Sequence, residues 1–374
     1  STEEIRSVSV NFYEVFVDHD DDADTPAQRQ LKRATDELVT ADDALAASVS
    51  FYKNKVLGSL DDIQALDSHV ADDPDTPENE TDYYDRSSIT YFQGGQGDEV
   101  ADYTVNYKRN TADVRGVSIN FYAGDLRAKD ATTDDALRKS VSFSKDFDLD
   151  TVADATIATI LERRSVTHFV NDAGEEVADY TETFKKSTDQ LRSVSVNFYT
   201  NTKKRASDST SDDKLAASVS FTKDFDVAGR IATLNFDGAG GVDHKTDRRS
   251  ITYFTGEQGE EIADYTENYR TSTEEIRSVS VNFYEVFVDH DDDADTPAQR
   301  QLKRATDELV TADDALAASV SFYKNKVLGS LDDIQALDSH VADDPDTPEN
   351  ETDYYDRSSI TYFQGGQGDE VADT

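Results

Sequence analysis

The sequence has no cysteine, methionine or tryptophan in its 374 residues, and only 6 prolines. Without cysteine the chain forms no disulfide, holds no thiolate-ligated metal and offers no thiol nucleophile. It also lacks an apolar run of about 18 residues, so the sequence predicts no membrane span. Its first residues show no basic stretch followed by an apolar one, and we therefore expect no targeting segment in the sequence given.

Positive charge is also scarce. Lys and Arg number 37 against 79 Asp and Glu, which gives a formal charge of -42. Nucleic acid and anionic membranes, which recruit basic proteins, are therefore poor candidates as partners. Apolar residues make up 36%, but the chain retains 18 Tyr and 18 Phe beside many Val and Ile. These residues predict a folded protein with an acidic surface, because a disordered acidic chain would lack them.

The sequence repeats itself at two levels. The segment from Ser1 to Asp102 recurs without a change 271 residues later, as Ser272 to Asp373. Within that period a shorter unit begins three times, at SVSVNFY, GVSINFY and SVSVNFY, and variation in length is confined to its first half. Length variation of this kind is typical of tandem repeats in which insertions lie in surface loops and the rest of the unit keeps its length. We predict repeat units at residues 1–115, 116–192 and 193–277, and a truncated copy of the first unit at 278–374.

Each unit carries alternating apolar and polar residues, which indicate β-strands with one buried face. We predict a mainly β fold of small antiparallel domains, β-sandwich-like, with four to five strands each. A hairpin around Gly259 is expected to place this glycine in the left-handed region and to pair Ile251 with Tyr265 and Tyr253 with Ala263. The first unit would use Gly97 in the same way.

Short helices are expected in the insertions of the first repeat. Leucine and alanine between Thr25 and Leu45 have helical spacing after a Thr-Pro start, and residues 59–70 have a similar pattern. The corresponding segment of the third unit, Arg230 to Phe236, has the alternation of a strand. The equivalent residues 151–162 of the second unit fit either structure.

Two kinds of candidate site follow from short motifs. The alternate spacing of acids in VDHDDDADTP matches the start of a calcium loop, although position six is Thr25 and position twelve Leu31, where such loops have Gly and Glu. The candidate Ca²⁺ ligands are Asp18, Asp20, Asp22 and Asp24. Asn79 and its copy Asn350 begin N-glycosylation sequons in a polar segment. No arrangement of Ser, His and Asp indicates a catalytic residue, and no cofactor other than Ca²⁺ is suggested.

These features favour a non-catalytic structural protein of an extracellular fibre, filament or surface layer, adapted to high salt. Hydrated carboxylates keep such a surface soluble where salt screens their repulsion. The expected partners are neighbouring repeats or other copies of the chain. One alternative is a Ca²⁺-dependent or carbohydrate-binding module of an adhesin stalk. A second is a secreted hydrolase whose catalytic part lies in the insertions.

Overall fold

The structure is a computed structural model of the chain. It describes residues 7–17, 28–52, 60, 63–66, 86–108, 111, 113–144, 162–223, 225–237, 241–242, 247–270, 275–288, 299–312, 314–324, 328, 331–337, 357–365 and 370–373. The chain divides into two compact units, the first comprising residues 1–176 and 184–189 and the second residues 177–183 and 190–374. The fold is mainly β, as the sequence predicts, and the strands pair antiparallel.

Eight strands lie in the described part of the first compact unit. They are β1 (Ser7–Val17), β2 (Gln28–Arg33), β3 (Leu45–Tyr52), β4 (Arg86–Gln93), β5 (Val100–Tyr107), β6 (Val114–Tyr122), β7 (Leu137–Ser144) and β8 (Arg163–Val170). From β3 to β8 each strand pairs with its neighbours in chain order, and β1 pairs with both β2 and β3. Two 3-10 turns, Ala123–Asp125 and Ala128–Asp130, follow β6.

The described part of the second compact unit contains thirteen strands. Its strands are β9 (Val177–Phe184), β10 (Leu191–Tyr199), β11 (Lys204–Arg205), β12 (Leu215–Thr222), β13 (Phe236–Asp237), β14 (Gly241–Val242), β15 (Arg248–Thr255), β16 (Ile262–Tyr269), β17 (Ile276–Val288), β18 (Gln299–Arg304), β19 (Leu316–Tyr323), β20 (Arg357–Gln364) and β21 (Val371–Asp373). Between these strands the described residues form the short α-helix α1 (Val227–Arg230) and 3-10 turns at Ala206–Asp208, Ile231–Thr233 and Leu331–Asp333. None of the described helices has the length and apolar character needed to cross a membrane.

The predicted alternation of buried and polar residues is confirmed. In β1 the side chains of Val10 and Phe12 are buried, whereas those of Ser9 and Asn11, which alternate with them, are exposed. Loop residues cover the apolar face, among them Ile63 in the first compact unit and, in the second, Phe225, Leu234 and Ile334. The sandwich-like part of the prediction is therefore wrong for the described strands, because loop residues do most of the covering. A second sheet contributes only through Phe236 of the two-stranded β13–β14 pair in the second compact unit.

The helix predicted after Thr25 is also wrong where the structure describes it. Gln28–Arg33 is a strand, β2, and turns lead from it to β3. The reason is the length of β1, whose second half, from Phe12 to Val17, gains its backbone partners from β2. In the second copy of the segment 59–70, the described residues 331–337 contain the 3-10 turn Leu331–Asp333 and no α-helix. Conversely, the strand expected from Arg230 begins only at Phe236, after the helical turns.

The hairpin register differs from the prediction by two residues. Ile251 lies opposite Glu267, and Tyr253 lies opposite Tyr265. Phe254 then faces Ala263, so Asp264 is the extra residue of a β-bulge and the connecting loop is longer than expected. Gly259 does have the predicted left-handed backbone, with φ of 77°. The first unit shows the same shift, since Ile89 faces Val105.

Candidate functional site

The residues selected from sequence motifs lie outside the described part of the chain. This holds for the candidate Ca²⁺ ligands Asp18, Asp20, Asp22 and Asp24 and for the sequon residues Asn79 and Asn350. Within the described ranges, no three His, Asp or Glu side chains form a group that could hold a metal ion. The calcium and glycosylation predictions therefore stay predictions.

The described site with the most specific geometry is the junction between successive repeat units. Here the last strand of one unit pairs with the first strand of the next, as in β5 with β6. The same pairing joins β16 to β17, with Thr266 opposite Ser280 and Tyr265 opposite Val281. Each junction therefore continues the sheet from one repeat unit into the following one, and the predicted boundaries after residues 115, 192 and 277 fall inside strands.

At the junction a single backbone carbonyl accepts hydrogen bonds from two side chains. Ala101 lies in the last strand of the first repeat, and its carbonyl oxygen accepts hydrogen bonds from Tyr122 Oη at 2.5 Å and from Asn120 Nδ2 at 3.2 Å. Both donors belong to the Asn-Phe-Tyr sequence that ends β6. Phe121, between them, points to the opposite face and is buried in the core. Three consecutive residues thus bind the preceding repeat and fill the core of their own.

A buried ion pair completes the junction. Arg127 donates from Nη2 to Asp102 Oδ1 at 2.6 Å and from Nε to the same oxygen at 3.1 Å. Their side chains are only 6% and 10% exposed. Asp102 is the bulged residue of its hairpin, because Tyr91 pairs with Tyr103 and Phe92 with Ala101. The bulge thereby turns an aspartate of one repeat toward the arginine of the next.

The other two junctions use the same groups. The carbonyl oxygen of Ala178 accepts hydrogen bonds from Tyr199 and Asn197. That of Ala263 accepts hydrogen bonds from Tyr284 and Asn282. The ion pairs are Arg205 with Asp179 at 2.6 Å and Arg304 with Asp264 at 2.7 Å. The separation in sequence is also constant, with 19 residues from Ala to Asn and 21 from Ala to Tyr.

The junction tyrosines are kept neutral by their surroundings. Burial raises the pKa of Tyr122 and of Tyr199 to about 12, and the nearby carboxylates of Asp102 and Asp179 act in the same direction. Burial likewise raises the pKa of Tyr284. A protonated hydroxyl is the form that donates to the Ala carbonyl, so burial preserves the hydrogen bond that orients it.

A second feature is an open groove on the polar face of the second compact unit, with a volume of about 910 Å³. Serines form a row across its floor, since Ser220 lies opposite Ser250, which faces Asn268, which in turn faces Ser278. Exposed cations line it, namely Arg192, Arg249, Arg270, Arg277 and Lys324. Arg270 lies 3.9 Å from Glu275. In a chain with a charge of -42, this concentration of positive charge is a local exception.

Comparison with known proteins assigns no family. No protein-family model matches the chain, and no curated protein matches it significantly. One solved structure, titled "Crystal Structure of TcdB2-TccC3-Cdc42", aligns with 97% of this chain at 9% identity and a TM-score of 0.15. The alignment covers 19% of that protein's chain, and a similarity this low supports no conclusion about fold or function.

Proposed function

We propose that the protein is a structural tandem-repeat protein, a non-catalytic component of an extracellular or cell-surface fibre, filament or layer. The observation that carries this proposal is the repeat junction. The Ala carbonyl, its Asn and Tyr donors and the Arg–Asp ion pair recur at all three junctions in the described residues.

A junction of this kind suits a chain whose role is to extend. Each repeat offers one sheet edge to the unit before it and one to the unit after it, so stability is a sum of units and nearest-neighbour interfaces. Adding a repeat covers one open edge and creates another, and the number of exposed edges stays constant. Repeats of this type can multiply without new contacts having to evolve.

The charge supports a setting of high salt. At a formal charge of -42, self-repulsion opposes the compact state unless ions screen it. The Debye length falls to about 3 Å at 1 M salt, which is shorter than most separations between surface carboxylates. Some acids have structural roles as well, since Asp43, Asp135, Asp213 and Asp314 each accept from a threonine backbone amide three residues earlier.

Electron microscopy of the protein in molar KCl tests the proposal. A structural component should form threads, filaments or ordered sheets, and should do so with no added substrate. Dispersed compact particles at every protein and salt concentration would count against it. So would a hydrolytic activity that disappears on substitution of acids in the Asp18 to Asp24 segment, because the structural role requires no turnover.

A second candidate function is the binding of an acidic glycan, and the polar groove is the observation that favours it. Guanidinium groups and serine hydroxyls are the donors that bind the carboxylates and hydroxyls of such polymers. Binding of alginate oligosaccharides should weaken in an Arg249→Gln, Arg277→Gln double variant. Arg300→Gln is the matched control, because Arg300 is exposed, pairs with Glu285 and lies outside the residues that line the groove. Equal binding by the unsubstituted chain, the double variant and the Arg300→Gln control would eliminate this candidate function.

A further inference from the structure

Two copies of one sequence have different surroundings in this chain. Strands β1 and β2 have the same residues as the corresponding parts of β17 and β18. Val279 is fully buried, whereas its counterpart Val8 is only half-buried. Arg304 is 2% exposed, whereas its counterpart Arg33 is half-buried. Because the sequences are identical, the difference must come from what lies beside them.

Among the described residues, the difference is one strand. In β17, residues 276–281 pair with β16, residues 283–288 pair with β18, and β19 lies along the opposite edge. Strand β16 and strand β18 therefore lie end to end on the same edge of β17. In the described residues β1 pairs with β2 and β3, and the half of its edge that corresponds to the β16 position has no described strand.

The side chains that bind β16 in one copy are also present in the other, where no described residue takes the place of β16. Asn282 and Tyr284 donate to the carbonyl of Ala263. Their counterparts Asn11 and Tyr13 have no such acceptor among the described residues, and Asn11 is exposed.

The arginine shows the same contrast. Arg304 donates to Asp264 through Nε and Nη2, both at 2.7 Å, and to the carbonyl of Leu331. Arg33 keeps the equivalent bond to the carbonyl of Leu60 and has no described carboxylate partner. Among the described residues, the edge thus has a guanidinium in place without the carboxylate that pairs with it in the other copy.

We propose that the edge of β1, with Asn11, Tyr13 and Arg33, is a docking site for one kind of partner: an extended segment of the sequence type IADYTENY. The segment adds as an antiparallel strand, its Ala carbonyl accepts from Asn11 and Tyr13, and its Asp carboxylate pairs with Arg33. Segments of this type occur in every repeat unit, as in Val100–Tyr107 and Ile262–Tyr269, so the partner that the edge fits is another repeat unit of the same kind.

Binding of a synthetic peptide to the intact 374-residue chain tests the docking site. A fluorescein-labelled IADYTENY peptide should bind in molar KCl with one site per chain, because the identical edge at β17 is already filled. An IANYTENY peptide and the chain variant Arg33→Met should each bind at least tenfold more weakly. Arg29→Met is the matched control, since Arg29 lies on the same strand and pairs with Glu14 on the surface.

Cross-linking tests the register independently of Arg33. Because the chain has no cysteine, Ser9→Cys introduces a single thiol. Its counterpart Ser280 lies opposite Thr266, so a peptide with Cys at the Thr266 position should form a disulfide, and one with Cys at the Tyr265 position should not. Absence of peptide binding, two sites per chain, or cross-linking without preference for register would overturn the proposal. This inference rests on the proposed structural role and extends it. Because the threads expected by microscopy form without a free peptide, the docking site and the structural role can be refuted separately.

Discussion

Replacement of Arg304 by Met should reveal how strongly the junction binds successive repeats. The substitution removes both hydrogen bonds to Asp264 and leaves this carboxylate in a site where its side chain is 8% exposed. Breaking a buried ion pair by removing one partner costs about 3–5 kcal/mol, because the remaining charge is buried without compensation. The double variant Arg304→Met, Asp264→Leu should recover most of that loss, since neither charge then remains buried.

The repeat provides a control of identical sequence. Arg33→Met makes the same change and removes the same kind of bond to a backbone carbonyl, from Leu60 in place of Leu331. Because Arg33 has no carboxylate partner among the described residues, this substitution breaks no described ion pair. The difference between the two variants therefore measures the contribution of the Asp264 ion pair together with the deeper burial of Arg304, and we expect it to be about 3 kcal/mol.

Native-state hydrogen exchange followed by mass spectrometry in 2 M KCl measures this difference locally. Since about 1.4 kcal/mol corresponds to a factor of ten, the amides of β16 and β17 should exchange about 100-fold faster in Arg304→Met than in the unsubstituted chain. The amides of β1 and β3 should change much less in Arg33→Met. Equal acceleration by the two substitutions would refute the reasoning, because the Asp264 pair would then contribute nothing.

Three further outcomes are expected. In an alkaline titration, the free energy of unfolding should fall between pH 10 and about pH 12, because tyrosine ionises near pH 10 in the unfolded chain whereas burial raises the pKa of Tyr199 in the folded protein to about 12. The variant Tyr199→Phe should show a weaker pH dependence, and an unchanged profile would contradict this reasoning. The midpoint of thermal unfolding should rise between 0.1 M and 3 M KCl, and a fall would oppose salt adaptation. If the acidic segment binds Ca²⁺, the calorimetric heat of Ca²⁺ binding should decrease in the variant Asp20→Asn, Asp22→Asn, whereas equal heats would exclude these ligands.

The strands were predictable where alternation alone determines them. Val10 and Phe12 lie on one face of β1, and the same pattern locates Leu45–Tyr52. The strand Gln28–Arg33 was not predictable in this way, because Leu31 is its one apolar residue and begins a series with helical spacing that runs to Leu45. Its structure depends on the long neighbouring strand. Local pattern gives the conformation of a segment only when no tertiary partner competes for its backbone.

The junction was missed although its signal is present in the sequence. The constant spacing from the Ala of Ala-Asp-Tyr to the Asn and Tyr of Asn-Phe-Tyr recurs in three repeats, and such spacing indicates a contact. The contribution of Asp264 could not be deduced, because a β-bulge shifts the register by one residue and thereby aims this side chain at Arg304. An alternating pattern assumes a regular pleat, and a bulge interrupts it.

Disulfide formation across two junctions tests most directly the central claim that one repeat continues the sheet of the next. Thr104 lies opposite Ser118 and Thr266 lies opposite Ser280, and the chain has no cysteine of its own. The variants Thr104→Cys, Ser118→Cys and Thr266→Cys, Ser280→Cys should each form an intramolecular disulfide on mild oxidation. Thr104→Cys, Ile119→Cys, whose side chains lie on opposite faces, should retain free thiols. Free thiols in both matched pairs, or equal oxidation of the mismatched one, would contradict the shared sheet.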